Sequence, residues 1–386
     1  MTWPQVVLGD VIRVMRSGIS PEAIKGGTTY VGLEHIDSAG SFNGVRAVDP
    51  GELASTKFSF SDRHVLFGKL RPYLRKTARP DFNGVCSTDI LPLEPGSRVD
   101  RDYLFHALRR QCFVDEVTSL CAGANLPRIS PKVLASLTLP LPPLAEQRRI
   151  AAILDKADAL RAKRREAIAK LDQLLQSVFL DMFGDPVTNP KGWPETSFGE
   201  MFDISSSKRV LESQWRDSGI PFYRAREIAK LARTGRVEAE IFISDEMFEE
   251  FARRHSAPQS GDLMVSAVGT LGACYQVQDG DRFYFKDASV LRFVPIGNTV
   301  PEFVRFAFTT DHVLRQVHSG SSSTVGTYTI NRARDTRLFS PPLVLQRQFA
   351  TFMKRIGEKK RVLQRSAEQL NALFASLQQR AFSGNL

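Results

Sequence analysis

The chain says nearly the same thing twice. Pro142-Pro143-Leu144-Ala145-Glu146-Gln147-Arg148 opens a long helical pattern in mid-chain, and Pro341-Pro342-Leu343-Val344-Leu345-Gln346-Arg347 opens another 199 residues later. A mixed, β-rich segment of similar length precedes each. The order "head, long helix, head, long helix" predicts an α+β chain. Two similar heads, residues 1–143 and 195–340, are joined by long helices at 144–183 and in 341–386, with a Gly/Pro-rich linker at 184–194. The expected arrangement is an antiparallel coiled coil with a pseudo-twofold internal repeat.

The helical reading rests on spacing. Ile150, Leu154 and Ala157, then Ile168, Leu171, Leu175, Val178 and Met182, recur at steps of three and four, a heptad seam. The second seam reads Phe349, Met353, Ile356, Lys360, Leu363, Ala367, Leu370, Phe374, Leu377 and Ala381. Forty helical residues run to roughly 60 Å at 1.5 Å each, so the helix needs a partner along its length. Lys360 falls on the equivalent of Arg161, so both copies place a cation mid-seam. Either these cations sit at the contact and fix register, or the seam drifts to Leu160 and Ala167 and leaves them outside.

The heads also match each other. Cys86-Ser87-Thr88-Asp89-Ile90-Leu91-Pro92-Leu93 parallels Lys286-Asp287-Ala288-Ser289-Val290-Leu291-Arg292-Phe293, and Leu104-Phe105-His106-Ala107-Leu108 parallels Val304-Arg305-Phe306-Ala307-Phe308. Residues 64–67 and 29–33 read as strands, and 99–117 as one helix. Loops between matching segments differ: residues 123–129 stand where the second copy has 320–330. Similar frames with different loops imply two different targets read in the same way.

Composition narrows the partner. The 386 residues carry a net charge of +10, which favours a polyanion. No apolar run reaches the roughly 18–20 residues of a membrane span, and Met1-Thr2-Trp3-Pro4-Gln5 does not start a signal peptide, so a cytoplasmic chain without membrane contact is expected. Cys86, Cys112, Cys121 and Cys274 show no Cys-x-x-Cys spacing and read as reduced thiols. No catalytic constellation holds: phosphate-binding loop, His-Glu-x-x-His, nucleophile elbow and Asn/Asp-Pro-Pro-aromatic tetrapeptide are all missing, and no metal site is expected.

Candidate DNA contacts are chosen by chemistry. Lys69, Arg71, Tyr73 and Arg75 would share one face of a strand, with Lys76 beside them. Asn125 and Arg128 lie in the first variable loop. In the second head Tyr223, Arg224 and Arg226 suggest another strand face. Ser266 and Thr270 flank a glycine turn, and Ser321, Ser322, Ser323 and Thr324 form a hydroxyl-rich loop. Arginine and lysine reach phosphates and guanine edges, and small hydroxyls reach either. A basic belt (Arg161, Lys163, Arg164, Arg165; Lys354, Arg355, Lys359, Lys360, Arg361, Arg365) would attract DNA or an acidic partner. The plain alternative for each is a solvated surface.

With these residues in hand, the whole chain resembles the specificity subunits of type I restriction–modification systems. The resemblance rests on residues 141–150 running into the long helix. It rests also on Met182-Phe183-Gly184-Asp185-Pro186 followed by Asn189-Pro190-Lys191-Gly192-Trp193, and on Phe67-Gly68-Lys69-Leu70-Arg71-Pro72-Tyr73. It implies two target-recognition domains, each reading half of a split, asymmetric DNA sequence, and no catalysis in this chain. Expected partners are double-stranded DNA and two modification subunits, with two restriction subunits as optional further members. S-adenosylmethionine, ATP and Mg are expected in those partners and no cofactor here. The second Pro-Pro segment departs by carrying Val344-Leu345 for Ala145-Glu146. The competing readings are a coiled-coil assembly adaptor that ignores DNA and, less compatible with the missing motifs, a self-sufficient methyltransferase.

Overall fold

The computed structural model describes residues 3–255, 257–319 and 326–386. The chain forms two compact units: residues 1–166 with 364–386, and residues 167–363. Each unit therefore holds one head together with a piece of each long helix. The helices themselves are continuous, Leu144–Phe183 and Leu343–Ser383.

The head of the first unit is built on two sheets. One is antiparallel, in the order Ile12–Val14, Ile90–Pro95, Val65–Gly68, Thr77–Ala78. The other runs Gly18–Ile19, Lys57–Phe60, Gly84–Cys86, Thr28–Val31, Arg46–Val48, with one parallel pair between Thr28–Val31 and Gly84–Cys86. Val65–Gly68 is buried at every residue, as expected for a central strand covered on both faces. The expected helix over 99–117 is two helices, Arg101–Leu108 and Gln111–Ser119. The break follows from tertiary contacts: Arg109 is buried, donates to the Ser38 carbonyl at 2.8 Å and lies on the Phe105 ring, while extended Arg110 restarts the chain.

The head of the second unit repeats the strand order of the antiparallel sheet, while its other sheet has three strands in place of five. Phe202–Ser205, Val290–Pro295, Leu263–Ser266 and Cys274–Gln276 form its antiparallel sheet, and Ile220–Tyr223 pairs in parallel with Tyr284–Phe285. Register also agrees: Gly68 faces Ile90 in one sheet and Ser266 faces Val290 in the other.

The repeated Pro-Pro segment has a structural task. Gln147 is fully buried; its amide donates to the Pro142 carbonyl at 2.8 Å and the Arg98 carbonyl at 3.0 Å, and its oxygen accepts from Asp100 N–H at 2.7 Å. Gln346 donates to the Pro341 carbonyl at 2.7 Å in the same way. Gln147 thus closes the start of its long helix onto the head through Arg98 and Asp100, whereas Gln346 holds its helix to the preceding turn. Replacing Gln147 by Ala orphans those buried groups and should cost about 1–3 kcal/mol in urea unfolding; an unchanged midpoint would show the bonds contribute nothing.

At the far ends the helices become core. Ile150, Leu154, Phe374, Ala381 and Phe382 are buried with the first head, and Phe179, Phe183, Phe349 and Met353 with the second. Ile356 is buried, whereas Ile168, Leu171, Leu175, Leu363 and Leu370 are half-buried. Leu160 is 53% exposed, so the seam does not drift onto it and the cations stay at the contact. An indole caps each end: Trp3 Nε1 donates to the Ala381 carbonyl at 2.7 Å, and Trp193 Nε1 to that of Phe183 at 2.9 Å.

Candidate nucleic-acid interface

In the first unit, two loops meet and bring most of the expected residues together. The strand ends at Gly68, and Lys69 to Lys76 do not continue it. Pro72 lacks the N–H a ladder needs, and Arg71 and Arg75 take left-handed conformations, φ 50° and 56°, around a 3-10 turn at Pro72–Leu74. The shared strand face expected for Lys69, Arg71, Tyr73 and Arg75 is therefore replaced by a turn. That turn is clamped to the variable loop through main-chain bonds: Arg71 N–H to the Pro127 carbonyl at 2.8 Å and Ile129 N–H to the Lys69 carbonyl at 3.1 Å. Arg71 also donates to the Asn125 carbonyl at 3.4 Å.

Charge is focused on Asp89. Arg128 donates to both of its oxygens at 3.0 and 3.4 Å, and Lys69 Nζ lies 3.9 Å away. One carboxylate between two cations leaves Arg71 free to add positive charge at the surface. Tyr73, Leu74 and Leu126 are exposed beside it, an apolar complement suited to bases or sugar. Asp89 was missed by sequence reading, since nothing local distinguishes a clamp from a loop acid.

Arg75 and Lys76 turn inward instead. Arg75 donates to the Arg109 carbonyl at 2.5 Å and Lys76 to the Leu33 carbonyl at 2.5 Å. Behind Arg75 lies a polar network joining head to helix. Arg79 donates to Asp102 at 2.7 Å and to Asp155 at 2.7 Å, and Asp155 also pairs with the buried His106 at 2.9 Å. Burial pushes the Asp155 carboxyl up, but hydrogen bonds from His106 and Arg79 outweigh it and hold it well below the usual range. Burial lowers Arg109 to about 10.

A depressed carboxyl stabilises the fold above its unfolded pKa, near 4, and that contribution fades as pH falls through the folded value. Unfolding of the wild type followed from pH 6 to pH 3 should lose stability that Asp155→Asn lacks at the outset. Asp155 is more than a third exposed, so the difference at pH 6 should be no more than about 1–3 kcal/mol. Parallel pH profiles would count against the network.

The second unit arranges its cations differently. Its strand stops at Tyr223, and Arg224 and Arg226 flank the start of helix Ala225–Thr234 rather than sharing a strand face. Glu227 explains the change: its carboxylate accepts from Arg224 N–H at 3.0 Å, closing the helix start, and from the side chains of Arg224 and Arg226. Burial raises Glu227, yet those arginine bonds hold it below its ordinary value. Arg226 also reaches Glu240. Tyr223 is buried against Phe283, and Ser266 is buried with its hydroxyl donating to the Thr270 carbonyl and accepting from Ala273 N–H; neither is placed to touch DNA. Thr270 borders a cleft of about 630 Å³ with Arg226, Lys230, Arg233 and Arg305. Ser321, Ser322, Ser323 and Thr324 lie outside the described residues.

Among the described residues, no group of three or more His, Cys, Asp or Glu could hold a metal ion, and no helix is long and apolar enough to cross a membrane. Residues 70–170, which contain the loop pair and the Asp155 network, match the model of the Type I restriction modification DNA specificity domain. Relatives extend the match. The Type I restriction enzyme EcoDI specificity subunit of Escherichia coli is 30% identical over 166 residues, 42% of this chain and 37% of that protein. The putative type I restriction enzyme specificity subunit S.HindORF215P of Haemophilus influenzae is 27% identical over 199 residues, 50% of this chain and 49% of that protein.

Residues 70–170 thus resemble a type I DNA specificity domain, and the chain is similar to type I specificity subunits. The matched stretches span between about a third and a half of those two relatives. The EcoKI specificity subunit of Escherichia coli K12 aligns over more, 320 residues at 22% identity, 76% of this chain and 67% of that protein. The specificity-subunit fold agrees at full length. The Type-I restriction-modification system S subunit from M. genitalium superposes with a TM-score of 0.61 at 15% identity, covering 98% of this chain and 96% of that one. A chain from a structural study of complex assembly and conformational transition of the type I R-M system gives 0.55 at 21% identity, covering 100% and 98%.

Proposed function

We propose that this chain is the non-catalytic subunit that chooses the DNA sequence for a type I restriction–modification complex. The observation that carries the reading is the match of residues 70–170 to a DNA specificity domain, because it contains the surface of Arg71, Asn125 and Arg128. The first head reads one half-site there. The second head, with the same antiparallel sheet and other loops, reads a different half-site, so the target is bipartite and asymmetric. Cations supply salt-dependent phosphate affinity, and side chains at base edges supply the choice.

Contacts inside each unit support pairing of the long helices as an antiparallel coiled coil. In one unit Arg149 meets Leu386 and Arg161 meets Asn371; in the other Asp172 meets Lys360 and Phe179 meets Phe349. Numbers rise along one helix as they fall along the other. Such a spacer with pseudo-twofold symmetry would hold two readers apart and offer matching docking faces to two modification subunits, and to restriction subunits where present. Those partners bring S-adenosylmethionine, ATP and Mg, and the complex works in a prokaryotic cytoplasm.

The test is to express the chain with a modification partner and map methylated adenines genome-wide. Two different half-sites separated by a fixed unread gap are expected. Methylation without sequence preference, or a complex that assembles and binds no duplex, would leave only an assembly adaptor.

A further inference from the structure

The second head carries a basic cleft built from parts the first head does not have. In each head a strand pairs in parallel with a later one, Thr28–Val31 in the first and Ile220–Tyr223 in the second. A 3-10 turn at Leu33–His35 follows the former, whereas the ten-residue helix Ala225–Thr234 follows the latter. Helix Pro301–Ala307 carries Arg305 where the first head has the buried Phe105. Both helices and the segment 270–274 line the cleft of about 630 Å³.

Arg226, Lys230 and Arg233 recur at steps of four and three, so they share one face of their helix. All three line the cleft, and Arg305 joins them from the other helix. Their commitments differ. Arg226 is bonded to Glu227 and Glu240, which Arg224 also engages. Among the described residues, no ion pair or side-chain hydrogen bond engages Lys230, Arg233 or Arg305. Arg305 Nε is shut off from water without an acceptor, a costly arrangement for a guanidinium. Glu238 is the uncommitted carboxylate of the lining, so three free cations face one free acid. The surplus is two positive charges.

We propose that this cleft binds the phosphate group of a ligand of mononucleotide size. A phosphomonoester carries close to two negative charges at neutral pH, which matches the surplus, whereas a lone carboxylate leaves one cation unanswered. Arginine forks pair with phosphate oxygens, and lysine adds a point charge. The volume lies in the range of small-ligand sites, and Ala229, Ala232, Val237 and Phe308 offer an apolar wall to a base or sugar. The phosphate comes from a free nucleotide or from a nucleotide of duplex DNA; only the second source rests on the function proposed above.

The full chain is titrated by calorimetry with adenosine monophosphate, inorganic phosphate and adenosine at matched ionic strength. For a free nucleotide, one saturable site is expected for adenosine monophosphate and none for adenosine. Lys230→Gln with Arg233→Gln, and separately Arg305→Gln, should weaken it about tenfold or more. Arg305 also borders a second hollow beside Phe179, and its replacement is the riskier for folding, so the exposed Lys230 and Arg233 pair decides. For duplex DNA, the complex with its modification subunits is assayed at several salt concentrations. There the same pair of changes should flatten the salt slope by about one while both half-sites are kept. Either result carries the proposal and names the source. Equal binding of adenosine, or no effect of the paired changes in either arm, overturns it. A complex that binds no duplex removes the functional reading, and the nucleotide titration then decides the proposal alone.

Discussion

Phe179→Ala should lower the stability of the second unit by about 3–5 kcal/mol, measured as a shift in the urea midpoint. Phe179 is 1% exposed and sits among five other rings: Phe306 at 4.7 Å, Phe183 at 5.1 Å, Phe349 at 5.4 Å, Phe303 at 6.0 Å and Phe339 at 6.1 Å. These rings come from both long helices, from helix Pro301–Ala307 and from strand Arg337–Phe339, so one truncation opens a void at a four-way junction. The corresponding junction in the first unit has its own buried cluster, with Tyr103, Ile150, Leu154 and Phe382 beside the Arg79–Asp155–His106 network, and should keep its own unfolding midpoint. A loss below about 1 kcal/mol would mean the site collapses around the missing ring, and the aromatic cluster would not be what seats the head on its helices.

Arg71→Ala combined with Arg128→Ala should weaken duplex binding at one half-site at least tenfold, with the other half-site read as before. A base-contacting arginine is worth about 1–3 kcal/mol, and each phosphate contact removed flattens the salt slope by about one. Arg71 is exposed, and Asp89 keeps Lys69 nearby when Arg128 is gone, so the fold should tolerate both changes. Methylation mapping of the variant with its partner subunit, beside binding at two salt concentrations, reads both effects. Unchanged preference at both half-sites would remove the loop pair from the interface. Arg75→Ala makes the contrast: its guanidinium is bonded to the Arg109 carbonyl, so its loss should appear in unfolding before it appears in DNA choice.

Features legible in the sequence were those fixed by local pattern. The first long helix begins at Leu144, behind two prolines, and ends at Phe183, before a glycine at φ 83°. Strands at 28–31 and 65–68 follow from β-branched and aromatic runs between turn residues. Wherever a distant partner decides the conformation, pattern misleads. Alternation of cations in 69–76 suggests a strand, but Pro72 and the clamp to Pro127 make a turn. Arg224 and Arg226 alternate too, yet Glu227, three residues on from Arg224, starts a helix there. Asp89, Asp155 and Gln147 matter through partners dozens of residues away, and no periodicity marks them.

The variable loop of the first head hangs on its frame by peptide groups: Arg71 to Pro127, Ile129 to Lys69, and Ala122 with Arg128 in both directions. Peptide groups are the same whatever side chain follows them. On the proposed function, substitutions at 124–126 would alter base preference at little folding cost, with Gly123 kept for its φ of 98°, so new targets could evolve by point mutation while the scaffold stays as it is.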